Sequence, residues 1–483
     1  MTRFTMLITS ALLISVFSAF YAVPALSAAE QEMPKAMAEA ASAFIEPVQQ
    51  EPLEKATEKT EAYTIITASP DEQPAAAPAN TAAPSRNAPS AAGITAAEWE
   101  FFSAYGEDKD EDVIEAILPQ LSAWLSANPE HGAAEKALFL RANLNLKLGN
   151  YKPAVLDLLR LLQESPGSEV SAAAGKTLGI TADKKLDKKE KALLLTIAKG
   201  SGETGKAENL AFVLREMAGK FGQDFYEPLT VEFTEYFRRF PSYAGLDVLQ
   251  LELGNLYAQK KEYVRARLAY EKLIFVYPDS ALMARTKRLL GYVLAENIKD
   301  YFAAIKVYQD ITNKFPGTPE AWAAYTQLPR LTEKQKQYPL AVEVYENIIK
   351  LYPDKPEARD AFKAEARVLR ENLSKPAEAI AVLNRLADKY KDEKAIEELY
   401  LAAEIARKDL KDLDAEIRMY DRIAADYAAD KAAPKALLDA GQAFEKNKNA
   451  DKAKEYYERI VKDYPEDPVA KKAQKYIAAL LKA

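Results

Sequence analysis

Residues 253–278 read LGNLYAQKKEYVRARLAYEKLIFVYP, and this stretch decides the fold. Gly254 and Ala266 are small residues, set where two helices would have to pack closely. Ala266, Tyr270, Leu273 and Tyr277 follow one another at steps of four, three and four, which draws a single apolar stripe along a helix. Pro278 then ends that helix, because its ring removes a backbone donor and clashes with the preceding turn. The reading is two helices joined by a turn, a unit that cannot bury its own stripe.

The same ending recurs along the chain. Pro129, Pro166, Pro241, Pro278, Pro316, Pro353 and Pro465 stand 37, 75, 37, 38, 37 and 112 residues apart. The two long intervals are two and three times about 37.5, so they hide degenerate copies. Lys391 and Ala428 fill the missing proline positions behind Tyr390 and Tyr427, as Phe315, Tyr352 and Tyr464 precede their prolines. A small residue twelve positions before each turn recurs as Ala154, Ala266, Ala304, Ala341, Ala379 and Ala453.

Leu253-Gly254, Tyr257, Ala266, Tyr270 and Pro278 match, in type and spacing, the Leu-Gly, Tyr, Ala, Phe and Pro of the tetratricopeptide (TPR) pattern. The chain therefore resembles TPR proteins. Its period and its Tyr-Pro-Asp endings (Tyr277–Asp279, Tyr352–Asp354) are similar to TPR domains of the bacterial cell envelope, of the periplasmic or outer-membrane-associated type. Over residues 95–483 the resemblance implies an all-α superhelical solenoid of about ten helix pairs, degenerate between 167 and 241.

Composition narrows the function classes. Across 483 residues the net charge is −7, which gives no reason to expect nucleic-acid binding. There is no cysteine, so disulfides, thiol catalysis, a cysteine zinc site and lipobox anchoring are excluded. The single histidine, His131, lies beside Gly132 and reads as a solvated turn residue without partners for a metal. No cofactor or metal is expected.

Met1–Ala29 reads as a secretory signal peptide: Arg3, an apolar run from Met6 to Val23, then Ser27, Ala28 and Ala29. An uncleaved membrane anchor is the competing reading, and membrane contact otherwise comes only through partners. Residues 30–94 form an Ala/Pro-rich segment with too few large apolar residues to offset ordering entropy, so a disordered linker is expected. Pro34, Pro47 and Pro52 argue against a coiled coil there. The folded array is expected to start at Thr95, with Glu98 completing a capping box. Turns are expected at Asp183–Lys185 and Gly200–Gly205, between helical stretches at Lys189–Lys199 and Lys206–Lys220, and Lys471, Lys472 and Lys475 give the last helix a solubilising face.

One motif points to another class. Gly200-Ser-Gly-Glu-Thr-Gly205-Lys206 fits the phosphate-cradling GxxxxGK pattern and follows the strand-like run Leu193–Ile197. The next residue is Ala207, where a true P-loop has the Ser or Thr that holds magnesium. The alternative reading is thus a nucleotide-binding protein, incomplete in its metal site.

No catalytic motif appears, so the function expected is a non-enzymatic protein-protein interaction scaffold in the periplasm or envelope. Its partners would be other envelope proteins or peptide segments, and homo-oligomerisation is left open. The resemblance implies that the first helix of each pair lines the concave surface, and it selects the inward positions. These are Phe139, Asn143 and Lys147, then Leu251, Asn255 and Gln259, then Leu438, Gln442 and Lys446. An apolar residue is followed by a carboxamide and a polar or basic side chain, and a carboxamide can both donate to and accept from a peptide backbone. Use of the opposite, convex face by the partner stays open.

Overall fold

A computed structural model describes residues 91–107, 110–202 and 205–481; the expected signal peptide and nearly all of the expected linker lie outside these. The described residues hold 21 α-helices and no strand, in consecutive packed pairs with one closing helix, Pro468–Leu480. This is a TPR-like solenoid. The first helix already begins at Ala91, so Thr95 stands a turn inside it and does not cap it. Asp183–Lys185 belongs to helix Glu169–Lys185, and the turn falls at Leu186–Asp187 instead.

The repeating contact is a tyrosine of the second helix pressed on a small residue of the first. Tyr270 is buried to 1% exposure, and a Cβ at Gly254 would stand 2.5 Å from its ring. Gly291 meets Tyr308 and Gly441 meets Tyr457 in the same way. The register alanines 154, 266, 304, 341, 379 and 453 are all fully buried, as the helix approach requires.

Within seven of the ten pairs the chain reverses through one left-handed residue: Gly149, then Lys261, Lys299, Lys336, Ser374, Lys411 and Lys448, with φ between 55° and 76°. The N–H of the residue after it closes the turn, as in Glu262 to the Tyr257 carbonyl (2.9 Å) and Gln337 to that of Thr332 (2.8 Å). Two first helices end in π-helical turns, Val293–Ile298 and Ala406–Leu410. The count explains them. Gly254 to Lys261 is seven residues, but Gly291 to Lys299 and Ala403 to Lys411 are eight. The extra residue is taken up by widening the helix without disturbing the tyrosine contact.

Buried side chains form two cores. One runs from Phe102 to Leu256, the other from Leu251 to Ala473. They meet at helix Leu246–Gln259, which gives Leu246, Leu249, Leu253 and Leu256 to the first and Leu251 to the second. The second core stacks pair upon pair. In the first, helix Tyr151–Glu164 packs not only on Glu169–Lys185 but also on Lys206–Phe221 and Tyr226–Arg239.

Candidate functional site

The nine positions selected from sequence lie on three first helices, Ala134–Lys147, Leu246–Gln259 and Ala432–Lys446, and they do not behave alike. Gln442 and Lys446 are exposed, and Gln442 Nε2 donates to Tyr476 Oη (3.1 Å) on the closing helix. Phe139 and Asn143 are half-buried, and the exposed Lys147 donates to the Gly106 carbonyl at 2.8 Å. Leu251 and Leu438 belong to the core.

Asn255 corrects the expectation. It is 4% exposed, its Oδ1 accepts from Tyr270 Oη at 2.9 Å, and its Nδ2 donates to Glu252 at 3.2 Å. Its carboxamide serves the helix pair and is not offered to a ligand, whereas Gln259, one turn on, is half-buried.

The same face carries a feature the sequence reading missed, a ladder of acid–arginine pairs between successive repeats. Arg330 pairs with Glu296, Arg367 with Glu333 at 2.8 Å, and Arg370 with Asp409 at 2.6 Å. Glu333 also accepts from Tyr345 Oη at 2.6 Å, as Glu445 accepts from Tyr457 Oη at 2.9 Å. The signal was an Arg 34 residues after a Glu, twice over. Such half-exposed pairs set register and surface charge more than stability.

Between the N-terminal pairs lies a cleft of about 490 Å³ lined by Arg141, Asn145, Asp157 and Glu232, among others. Arg141 pairs with Asp157, and Arg160 and Arg239 converge on Glu164 at 2.7 and 2.5 Å. Burial pushes the Glu164 carboxyl up, but the two guanidiniums outweigh it and hold the group below its ordinary range. Glu232 is raised by burial, with Arg160 and Arg141 only partly compensating. The charges satisfy one another, so the cluster reads as a structural clamp between Ala134–Lys147, Tyr151–Glu164 and Tyr226–Arg239.

The GxxxxGK segment does not form a P-loop. Leu193–Ile197 is helical, within Lys188–Ile197, which is capped by Asp187 and Glu190 in a capping box. Lys206 does open a helix, but the Glu208 carboxylate folds back against Gly205 at its N-terminus, so an anion already stands where a phosphate would go. His131, read as solvated, is half-buried, with Nδ1 accepting from the Ala133 N–H (3.1 Å) and its ring edge-on to Trp124. Among the described residues no His/Cys/Asp/Glu group is placed to hold a metal, and no helix is long and apolar enough to cross a membrane.

Residues 330–394 and 435–467 match tetratricopeptide repeat families. These two stretches are tetratricopeptide repeats. Solved structures similar to these repeats include PilW, a type IV pilus biogenesis factor, at 17% identity over 47% of this chain and 98% of that one, with TM-score 0.25. A TPR protein from Parabacteroides merdae matches at 12% identity over 57% of this chain and all of that one (100%), with TM-score 0.29. Pseudomonas aeruginosa pilF matches at 16% identity over 47% and 96%, with TM-score 0.23. No curated protein matches the sequence.

Proposed function

We propose that this TPR chain is a non-enzymatic scaffold of the bacterial envelope that holds segments of other envelope proteins against the face made by its first helices. The observation that carries the reading is the last complete pair. Gln442 and Lys446 stand exposed on a helix whose Gly441, Ala443 and Phe444 are buried, so rigid packing presents a carboxamide and a cation to solvent. A carboxamide can both donate to and accept from a bound backbone, and the lysine adds a point charge. Export rests on the Met1–Ala29 pattern, and the absence of cysteine argues against a lipoprotein.

Site-specific photo-crosslinking in growing cells tests this. A crosslinking residue at 442 or 446 should yield discrete envelope-protein adducts, while one at the buried position 255 should yield none. Adducts absent from both exposed positions would remove this face from consideration. Magnesium–ATP should leave the melting temperature unchanged, since Ala207 offers the metal no hydroxyl and Glu208 repels phosphate.

A further inference from the structure

Four large apolar side chains that packing leaves at least half exposed gather on one second helix. On Tyr263–Val276, Val264, Leu268, Phe275 and Val276 are all at least half exposed, Phe275 to 88%. Val264, Leu268 and Phe275 are spaced by four and seven, so they share a helix face running about 16 Å along the axis. Phe302, 55% exposed, extends the surface onto the next second helix, Tyr301–Lys314.

The repeat register shows that this is an exception. The place of Phe275, two residues before the terminal aromatic, is taken in later repeats by Asn313, Lys350, Asp388, Ala425 and Lys462. The place of Leu268 is taken by Lys306, Glu343, Ala381, Arg418 and Glu455. Later copies of the same packing unit thus do without large apolar residues there, so stacking does not require them. A contiguous apolar face that packing leaves unused marks a docking site.

The surface is a shallow, open groove. Between the two second helices lies a cleft of about 770 Å³, walled by Leu268, Phe275 and Val307 and floored by Leu290 of the intervening first helix. Its charge is one-sided. Glu271 is held by Arg267 at 2.8 Å, and Asp310 by Lys287 and Lys314, so the acidic groups are already matched. Lys272 and Lys306 stand over the rings of Phe237 and Phe302 at 5.5 and 4.5 Å and pair with no carboxylate among the described residues. A basic-rimmed apolar groove on a chain of net charge −7 selects against that chain's own average surface.

We infer that this groove binds an acidic amphipathic helix of a partner protein, its apolar stripe laid against Leu268 and Phe275 and its carboxylates meeting Lys272 and Lys306. A concave cleft between parallel ridges suits a third helix better than a flat lipid surface. The site is separate from the first-helix face and does not depend on the role proposed for it.

The test uses the full chain and two labelled synthetic peptides of about five helical turns with one leucine stripe. One is flanked by glutamates, the other by lysines, and fluorescence anisotropy reads binding. The glutamate peptide should bind saturably and at least about tenfold more tightly than the lysine peptide. Phe275→Ser, and separately the pair Lys272→Glu with Lys306→Glu, should each weaken it about tenfold. Gln442→Ala with Lys446→Ala should leave it unchanged. Because these side chains are exposed, the variants should keep the parent's melting temperature, and a second groove variant, Leu268→Ser, guards against a misfolded one. Equal binding of both peptides, or indifference to Phe275→Ser, would overturn the inference. So would self-association in sedimentation, or binding to anionic phospholipid vesicles, that Phe275→Ser abolishes while peptide binding persists.

Discussion

Tyr270 shows what one residue does in each repeat. Its ring replaces the side chain that Gly254 lacks, and its hydroxyl finds Asn255 inside the pair. Tyr270→Ala should therefore cost about 3–5 kcal/mol, as truncating a large buried aromatic does, read from the urea midpoint. Asn255→Ala should also destabilise, by about 1 kcal/mol, because it removes a buried acceptor of that hydroxyl. The alanine register was legible from spacing alone, since a helix crossing admits nothing larger at those points. The burial of Asn255 was not, because its partner lies 15 residues away and its orientation depends on how the two helices cross. The left-handed lysines were equally hidden. Lysine has no preference for φ above zero, and only the repeat position marks it. Lys336 holds φ 56° in such a turn, so Lys336→Gly should raise stability by roughly 0.5–1 kcal/mol, relieving backbone strain at some cost in chain entropy.

At the scale of elements, helix Pro356–Glu371 contains a carboxyl that its packing disfavours. Glu365 is 1% exposed; burial, with the Glu346 carboxylate adding to it, pushes the group up to about 7, and Arg385 at 3.9 Å only partly offsets this. The folded value lies above the ordinary 4.5, so between those pH values the folded chain keeps a proton that the unfolded chain has lost. The site's contribution to stability is therefore full below about 4.5 and falls as pH rises towards 7. Glu365→Gln should match the parent near pH 4.5 and exceed it at pH 8 by on the order of 2 kcal/mol in urea unfolding. Sequence pattern did locate the helices, because proline, terminal aromatic and small residue agree at one period. At Leu193–Ile197 a short apolar run left a strand-like reading beside the helical one for Lys189–Lys199, and helix Lys188–Ile197 bears out the helical one. The stronger sign there was the Asp187–Glu190 capping box, which decides for helix. The π turns were invisible for a related reason. A one-residue surplus is evident only once the tyrosine and the turn lysine are both known to be fixed points.

At the scale of the whole described array, two kinds of cooperativity meet at helix Leu246–Gln259. Beyond it, each pair touches its neighbours, and a nearest-neighbour chain should confine damage. Before it, Tyr151–Glu164 reaches past the next pair to Lys206–Phe221 and Tyr226–Arg239, and the Arg160–Glu164–Arg239 cluster ties residues 75 apart in sequence. The weakened proline register between 166 and 241 hinted that this region departs from simple stacking, but not which helices would meet. The two regimes predict different spreads of disorder from equivalent injuries. Phe233 and Tyr457 are both fully buried aromatics, and either change to alanine should remove about 3–5 kcal/mol locally. Hydrogen exchange by mass spectrometry should show Phe233→Ala speeding exchange throughout Glu111–Gln259, because every helix of that core shares contacts with the lesion's neighbours. Tyr457→Ala should loosen only Leu413–Leu480 and leave Ala134–Arg239 at parental rates. A Phe233→Ala effect confined to Lys206–Gln259 would show that the first core also transmits strain one pair at a time. A Tyr457→Ala effect reaching Tyr301 would contradict nearest-neighbour stacking in the second.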